Sequence, residues 1–400
     1  MKITAPPAHI VFLLNRLAAE GFDGYVVGGS VRDSVMGRPV RDWDLATSAA
    51  PVDVARLFPK TVLTGERFGT VTVVLPECSV EVTTFRTESE YTDGRHPGEV
   101  EFVSNLEEDL ARRDFTMNAM AESVDGELID PFGGIDDITN GIIKCVGGPN
   151  TRFTEDALRM FRALRFSAEL GFNIEKETLQ AIYANTGLAD RISSERVRLE
   201  LEKTLMSRRP EVDGEMIKIG LLGRFVAVSG KSHDDFKKIV YLPEDPVIRW
   251  CVFCGILVGR QYIKSASELL HNMHLDGKTI KTCVRALEIQ EFPADRIEIK
   301  RLLSKHGDIV VRCAAAVNEV LDETGQGDRP PVLLELTDSV IRSGECITLG
   351  GLAVCGRDLL AAGHLPGQKI GETLNKLLDH VIVNPGDNNR ETLMKLACKE

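Results

Sequence analysis

The spacing of apolar residues changes about a third of the way along the chain. Up to about residue 150 they come in short β-branched runs, GYVVGG, DLAT, TVLTG, GTVTVVL and SVEVTTF, separated by turn formers and by short helical stretches such as PVDVARLF. Runs of this length and alternation read as strands of a small mixed sheet carrying helices. Ahead of them, MKITAPPAHIVFLLNRLAAEG is patterned as an amphipathic helix with Asn15, Arg16 and Glu20 on its wet side. From about Thr154 the period lengthens to that of helices, in TEDALRMFRALRFSAELG, EKETLQAIYANTG, SSERVRLELEKTLMS and several later segments broken at Gly, Pro and Asn. The expected fold class is therefore α+β, a mixed-sheet unit followed by an all-helical remainder. Turn formers cluster at GGPNT (147–151), SRRPEVDG (207–214) and TGQGDRPP (324–331), which predicts four parts: 1–146, 147–208, 209–328 and 329–400.

Composition and charge narrow the function classes. The 400 residues are 43% hydrophobic and 27% charged, as in ordinary globular proteins. No run of 18 apolar residues and no signal-peptide cleavage pattern occurs, and the nine cysteines are odd in number and scattered; a cytoplasmic, reducing location is expected. Cys251 and Cys254 lie one turn apart in the apolar RWCVFCGILVG with no second pair beside them, and read as buried thiols rather than as a zinc or redox site. His271 and His274 share a helix face in HNMH without the carboxylate of a metalloprotease signature, and read as a half-exposed helix. The net charge of −12 excludes a protein coated with basic residues for nonspecific nucleic-acid binding. A local basic stripe remains, because the first 145 residues are strongly acidic while the stretch from Arg152 to Arg209 is rich in arginine.

Chemistry concentrates in two places. In RDWDLAT, Asp42 and Asp44 are two residues apart on an expected strand, so that both carboxylates point to one face and invite a cation. Oxygen ligands of this kind suit Mg²⁺. Just upstream, YVVGGSVRD runs from strand through Gly28 and Gly29 into a helix, which brings backbone N–H groups to a bound anion, and Arg32 in the first turn can add a bidentate phosphate contact. This is neither a dinucleotide fingerprint nor a Walker loop. A phosphate cradle followed by a carboxylate pair is equipment for nucleotidyl transfer, in which two ions activate a hydroxyl and stabilise leaving pyrophosphate. Glu81, alternating with Val80 and Val82 in SVEVTTF, is either a third carboxylate of that site or an exposed strand residue.

The second place is EDALRMFRALRF, residues 155–166, where Asp156 precedes Arg159, Arg162 and Arg165. Asp156 and Arg159, at i and i+3 on one helix face, pair an acceptor with a donor. Cytosine and adenine each offer an amino donor beside a ring-nitrogen acceptor, so this pair would accept either base and reject guanine and uracil. Arg162 and Arg165 continue the face and could serve the triphosphate or RNA. The alternative is a solvated helix whose arginines pair with Glu155 and Glu169.

GGSVRD with DWD at 42–44, RRDFTMNAMA at 112–121, DPFGG at 130–134, EDALRMFRALRF and SSERVRLELEK at 193–203 occur in the order and spacing of the class II tRNA nucleotidyltransferases. The chain closely resembles these CCA-adding enzymes, which share their polymerase-beta-like head with bacterial poly(A) polymerases. The resemblance covers roughly the first half of the chain most strongly. It implies a nucleotidyltransferase head at 1–146, a helical neck at 147–208, a body at 209–328 and a tail at 329–400. It makes Asp42 and Asp44 the metal ligands and Gly29 and Arg32 triphosphate contacts. Arg113 and Asp114 would bind the ribose and phosphate side with Asn118 nearby, Asp156 and Arg159 become the template for the base, and Arg162 and Arg165 line the same pocket. It implies CTP and ATP as substrates and tRNA held by its acceptor arm and elbow along neck, body and tail; no obligatory protein partner is inferred. The segment TESEYTDGRHPGEV stands where relatives that add the terminal A have a flexible loop, which favours full CCA or A addition, although Glu90 replaces the Asp of many relatives. Partial enzymes adding only A or only CC, a poly(A) polymerase, and a non-catalytic nucleotide- or RNA-binding relative are the alternatives. A poly(A) polymerase is expected to carry a basic C-terminal extension, whereas this sequence closes on LMKLACKE, and a non-catalytic relative is expected to have lost a metal carboxylate.

Overall fold

A computed structural model describes residues 4–65, 68–88, 100–227, 234–322 and 332–398. The chain divides into two units, Met1–Thr204 with Met216–Arg224, and Leu205–Glu215 with Phe225–Glu400. In the first, α1 (Ala8–Ala19) buries Ile10, Leu13, Leu14 and Leu17, the i, i+3, i+4, i+7 stripe of an amphipathic helix, and leaves Asn15, Arg16 and Glu20 exposed. The chain then forms β1 (Gly24–Val27), α2 (Gly29–Val35), β2 (Asp44–Thr47), α3 (Pro51–Leu57), β3 (Thr61–Gly65), β4 (Thr70–Val74) and β5 (Ser79–Thr84). Each expected strand run is a strand, and Pro51 opens α3 at the position where its missing N–H costs nothing. After the pair β6 (Arg86–Glu88) and β7 (Val100–Phe102) come α4 (Leu106–Ala111), β8 (Ala121–Glu122), β9 (Leu128–Ile129), α5 (Gly134–Asn140) and β10 (Ile142–Ile143).

Seven strands form one sheet in the order β3-β4-β5-β2-β1-β8-β9. β2 and β5 run parallel at its centre, with Asp44 opposite Glu81, while its other neighbours pair antiparallel. Val27, Ala46, Phe85, Leu110, Ala119, Ala121 and Val146 form a core cluster on this part of the chain. The segment 89–99, which holds nearly all of the expected mobile loop, lies outside the described residues.

Two local expectations in the first unit are corrected. Asp42 precedes β2 instead of lying on it, because the ladder to β1 begins at Asp44 opposite Val27. The helix expected from Thr154 onward is two helices, α6 (Pro149–Glu155) and α7 (Leu158–Leu170), with Asp156 extended between them at φ −141 and ψ 103. Its carboxylate Oδ1 accepts the Leu158 N–H at 3.1 Å, the start signal of a new helix, and this local competition overrides the continuous 3.6 period. β11 (Asn173–Ile174) then pairs in parallel with β10, followed by α8 (Lys176–Asn185) and α9 (Ser194–Leu205).

The second unit is helical. Asp245, Ser265, Asp276 and Asp295 cap the helices Pro246–Gly259, Ala266–Asn272, Gly277–Leu287 and Arg296–His306 by accepting their first N–H groups. Helix Pro246–Gly259 packs against Asp308–Leu321, and Gly255 permits that approach, since a Cβ there would stand 2.8 Å from Val317 Cγ1. Cys251 and Cys254 are buried free thiols, as expected. His274, however, lies beyond the end of its helix at φ 55, so it does not share a helix face with the exposed His271. A further apolar cluster, Leu352, Val354, Leu359, Leu377, Leu378, Val381, Ile382, Leu393 and Ala397, closes the C-terminal helices.

Candidate active site

The turn after β1 sets the first half of the site. Gly28 adopts φ +74, a conformation that favours glycine, and a Cβ there would stand 3.0 Å from Arg113 Nη1. Gly29 opens α2, and Arg32 follows with its side chain buried. Arg113 is held by Asp109, which takes Arg112 Nη2 at 2.8 Å on one oxygen and Arg113 Nη2 at 3.2 Å on the other. Burial lowers the Arg113 pKa, and its Nε is buried with no hydrogen-bond partner. Asp109 escaped the sequence reading, although an acid three and four residues ahead of two arginines on a helix is the signal for it.

The carboxylates lie across the sheet from that turn. Asp44 pairs in register with Val27 on one side and with Glu81 on the other, and residues opposite one another in a ladder share a face. Asp44 and Glu81 are both exposed. Atoms crowding Asp44 and the negative charges of Glu81 and then Asp42 push its carboxyl above the ordinary value, which Arg113 partly offsets. Negative charge in excess, carried by oxygen donors open to solvent, fits a hard divalent cation. Among the described residues no three such side chains converge as a preformed metal cage.

A buried polar chain links the glycine turn to the arginine helix. Arg32 Nη1 donates to Asn118 Oδ1 at 2.8 Å, Asn118 Nδ2 to Asp114 Oδ1 at 3.1 Å, and Arg162 Nε to Asp114 Oδ2 at 2.7 Å. Burial opposes the Asp114 charge, but Arg162 and the Asn118 bond outweigh it and hold the carboxyl down at about 2. The Phe166 ring lies under Arg32 and Arg162 at 5.0 and 5.4 Å and under Arg165 at 3.8 Å.

The remaining helix residues divide between two roles. Asp156 is bound by Arg196 from α9, with Nη2 to Oδ2 at 2.7 Å and Nη1 to Oδ1 at 3.2 Å. Arg159 pairs with Glu155 at 2.7 Å and donates to the Arg112 carbonyl at 3.1 Å. The two are linked through the backbone, Arg159 N–H to the Asp156 carbonyl at 3.0 Å, while their side chains hold different partners. Arg165 is buried against Glu200 and Glu169 at 2.5 and 2.6 Å. The pairings with Glu155 and Glu169 weighed from the sequence are therefore present, but on buried rather than solvated arginines. Arg196 and Glu200 were missed as individuals; both lie in the SSERVRLELEK segment, one turn apart on one face.

Residues 24–144 match the poly(A) polymerase head domain, and residues 171–225 match the probable RNA- and SrmB-binding site of polymerase A. The head thus belongs to a nucleotidyltransferase. Over 390 residues the chain is 38% identical to a CCA-adding enzyme of Geobacillus sp. strain WCH70, covering 95% of this chain and 94% of that one. A crystal structure of the Bacillus stearothermophilus CCA-adding enzyme in complex with CTP is 33% identical and superposes with a TM-score of 0.80 over 99% of both chains. The Thermotoga maritima CCA-adding enzyme complexed with tRNA, 22% identical and matched at a TM-score of 0.68 over 98% of this chain and 95% of that one, shares the fold. The chain belongs to the CCA-adding enzymes, nucleotidyltransferases that act on tRNA.

Proposed function

We propose that the enzyme adds the complete CCA end to tRNA from CTP and ATP in the cytoplasm, by in-line transfer with release of pyrophosphate. The observation that carries the chemistry is the register of Asp44 with Glu81 at the centre of the sheet, with Asp42 two residues upstream. Mg²⁺ held by Asp42 and Asp44 would activate the 3′ hydroxyl and neutralise the leaving phosphates. Gly29, Arg32 and Arg113 bind the triphosphate, with Arg113 Nη1 standing next to Gly28 at the turn. Arg162 reaches the same pocket, and Arg165 anchors its helix to α9.

Asp156 and Arg159 select the base. Asp156, extended at the start of α7, keeps one oxygen with a single partner, Arg196, and a carboxylate oxygen can accept twice, so an amino group can join without breaking the ion pair. The neck, body and tail, read as residues 147–208, 209–328 and 329–400, hold the acceptor arm and elbow so that only the 3′ end moves. This reading is tested by giving the purified enzyme tRNA lacking its 3′ end with CTP alone, ATP alone or both. Full addition yields CC with CTP alone and CCA with both; addition of a long A tract, or of A only to tRNA already ending in CC, replaces it with one of the partial or polymerase activities.

A further inference from the structure

Three guanidiniums meet one aromatic ring in this protein. The carbons of Arg32, Arg162 and Arg165 stand 5.0, 5.4 and 3.8 Å from the Phe166 centroid, within the range in which a cation is attracted to the ring's negative face. Three like charges so placed repel one another, and the protein balances them separately. Arg165 is neutralised by Glu200 and Glu169, Arg162 by Asp114, and Arg32 by Asp33 at 3.0 Å. The ring itself is buried and fixed by Phe115, which meets it edge-on at 5.9 Å and 88°. Arg32 follows the glycine turn, whereas Arg162 and Phe166 are i and i+4 on α7. Only the ring and the Asn118–Asp114 chain connect these two arginines among the contacts described above.

We propose that Phe166 is a positioning residue for nucleotide binding, its π face setting the separation and direction of Arg32 and Arg162. Hydrogen bonds to Asn118 and Asp114 fix where each guanidinium is tethered; the ring fixes how far each leans toward the other and keeps its plane from turning away. Arg165, held by its two carboxylates, approaches the same ring more closely, at 3.8 Å, and fixes it in place. The consequence is selective. Weakening the ring's attraction lowers affinity for CTP and ATP by the same factor, since the triphosphate is common to both, and leaves the choice of base unchanged. The inference rests on the assignment of Arg32 to the triphosphate.

The test is a series in the full-length enzyme in which Phe166 is replaced by its mono-, di- and trifluorinated analogues. These keep the ring's shape and apolar volume while progressively cancelling its negative face. A hydrophobic packing role is insensitive to such a series. The expected result is a stepwise rise in KM for both CTP and ATP, reaching roughly tenfold at the last member, with kcat and the CTP-to-ATP preference little changed. Thermal unfolding followed alongside reports any loss of the Arg165 contact; where the trifluoro protein is poorly folded, the first two members carry the trend. Arg32→Lys is measured in parallel. A raised KM in Arg32→Lys with a flat fluorination series overturns the role of Phe166 and leaves the triphosphate assignment standing. An unchanged KM in Arg32→Lys removes the triphosphate assignment and the inference with it.

Discussion

Asp44 and Glu81 stand opposite each other on the one parallel strand pair at the centre of the sheet, carboxylate beside carboxylate. Like charges in register destabilise a sheet by themselves, so this pair stands against the stability of its own strands. Arg113 offsets part of that repulsion, and a divalent cation held by the carboxylates, as proposed above, would relieve the rest.

The first prediction follows from that relationship. Asp42→Ala or Asp44→Ala is expected to lower incorporation of both CTP and ATP by at least roughly a hundredfold, with tRNA binding nearly intact. Glu81→Gln is expected to act more weakly, raising the Mg²⁺ concentration needed for half-maximal rate. Turnover near wild type in either aspartate variant, measured on tRNA lacking its 3′ end, removes that residue from the metal site.

Acid stability is governed in part by Asp114. Its carboxyl is held at about 2 in the folded chain against an ordinary 3.8, so the folded state gains from the charged form. For a depressed carboxyl that gain is complete above the unfolded value, and it fades as pH falls through 3.8 toward 2. The shift corresponds to about 2 kcal/mol at neutral pH. Asp114→Asn is expected to be less stable than the parent by about that amount at pH 7, with the gap closing below pH 4. Denaturant unfolding at pH 7 and pH 3 checks it; a gap that is the same at both pH values shows that the ion pair with Arg162 contributes nothing.

In the helical unit, Arg249 serves as a plug for backbone oxygens. Its buried guanidinium donates to the carbonyls of Leu205, Ser207, Leu242 and Pro243 at 2.5, 3.3, 3.0 and 3.0 Å. Replacing it with methionine keeps much of the apolar stem but leaves these acceptors without their donor. The expected cost is about 3 kcal/mol, seen as a lowered unfolding midpoint with nucleotide KM unchanged. A midpoint within error of the parent means that water replaces the guanidinium.

The strands, the amphipathic first helix and the helical remainder were legible because each rests on a local period that burial then enforces: Val80 and Val82 inward and Glu81 outward on β5, or Leu13, Leu14 and Leu17 inward on α1. The break at Asp156 was not, because the residues around it keep a helical period while its carboxylate accepts the Leu158 N–H and is held by Arg196 from α9. Which partner each charged residue takes was also beyond the sequence. Asp114 and Arg162 are 48 positions apart and Asp156 and Arg196 are 40 apart, separations at which no periodicity speaks. The motifs thus indicated which residues gather, while the chain of Arg32, Asn118, Asp114 and Arg162 emerges only from how the elements pack.

The last prediction concerns base choice, where the structure adds a residue to the expected pair. Asp156→Ala removes the acceptor for the amino group of cytosine or adenine, and Arg159→Ala removes the donor to the ring nitrogen. Each is expected to cost about 1–3 kcal/mol in nucleotide binding and discrimination, by analogy with bidentate base readout. Arg196→Met leaves both side chains present but frees the Asp156 carboxylate from its clamp, so it is expected to shift selectivity in the same direction and by less. The readout is relative use of the four nucleotides. A template pair lowers CTP and ATP use while UTP or GTP misincorporation rises against them, whereas a phosphate-binding arginine lowers all four alike. Equal loss of all four in the Asp156 and Arg159 variants makes this helix an electrostatic clamp, and a normal profile in Arg196→Met shows that Asp156 is held in place by its bond to the Leu158 N–H alone.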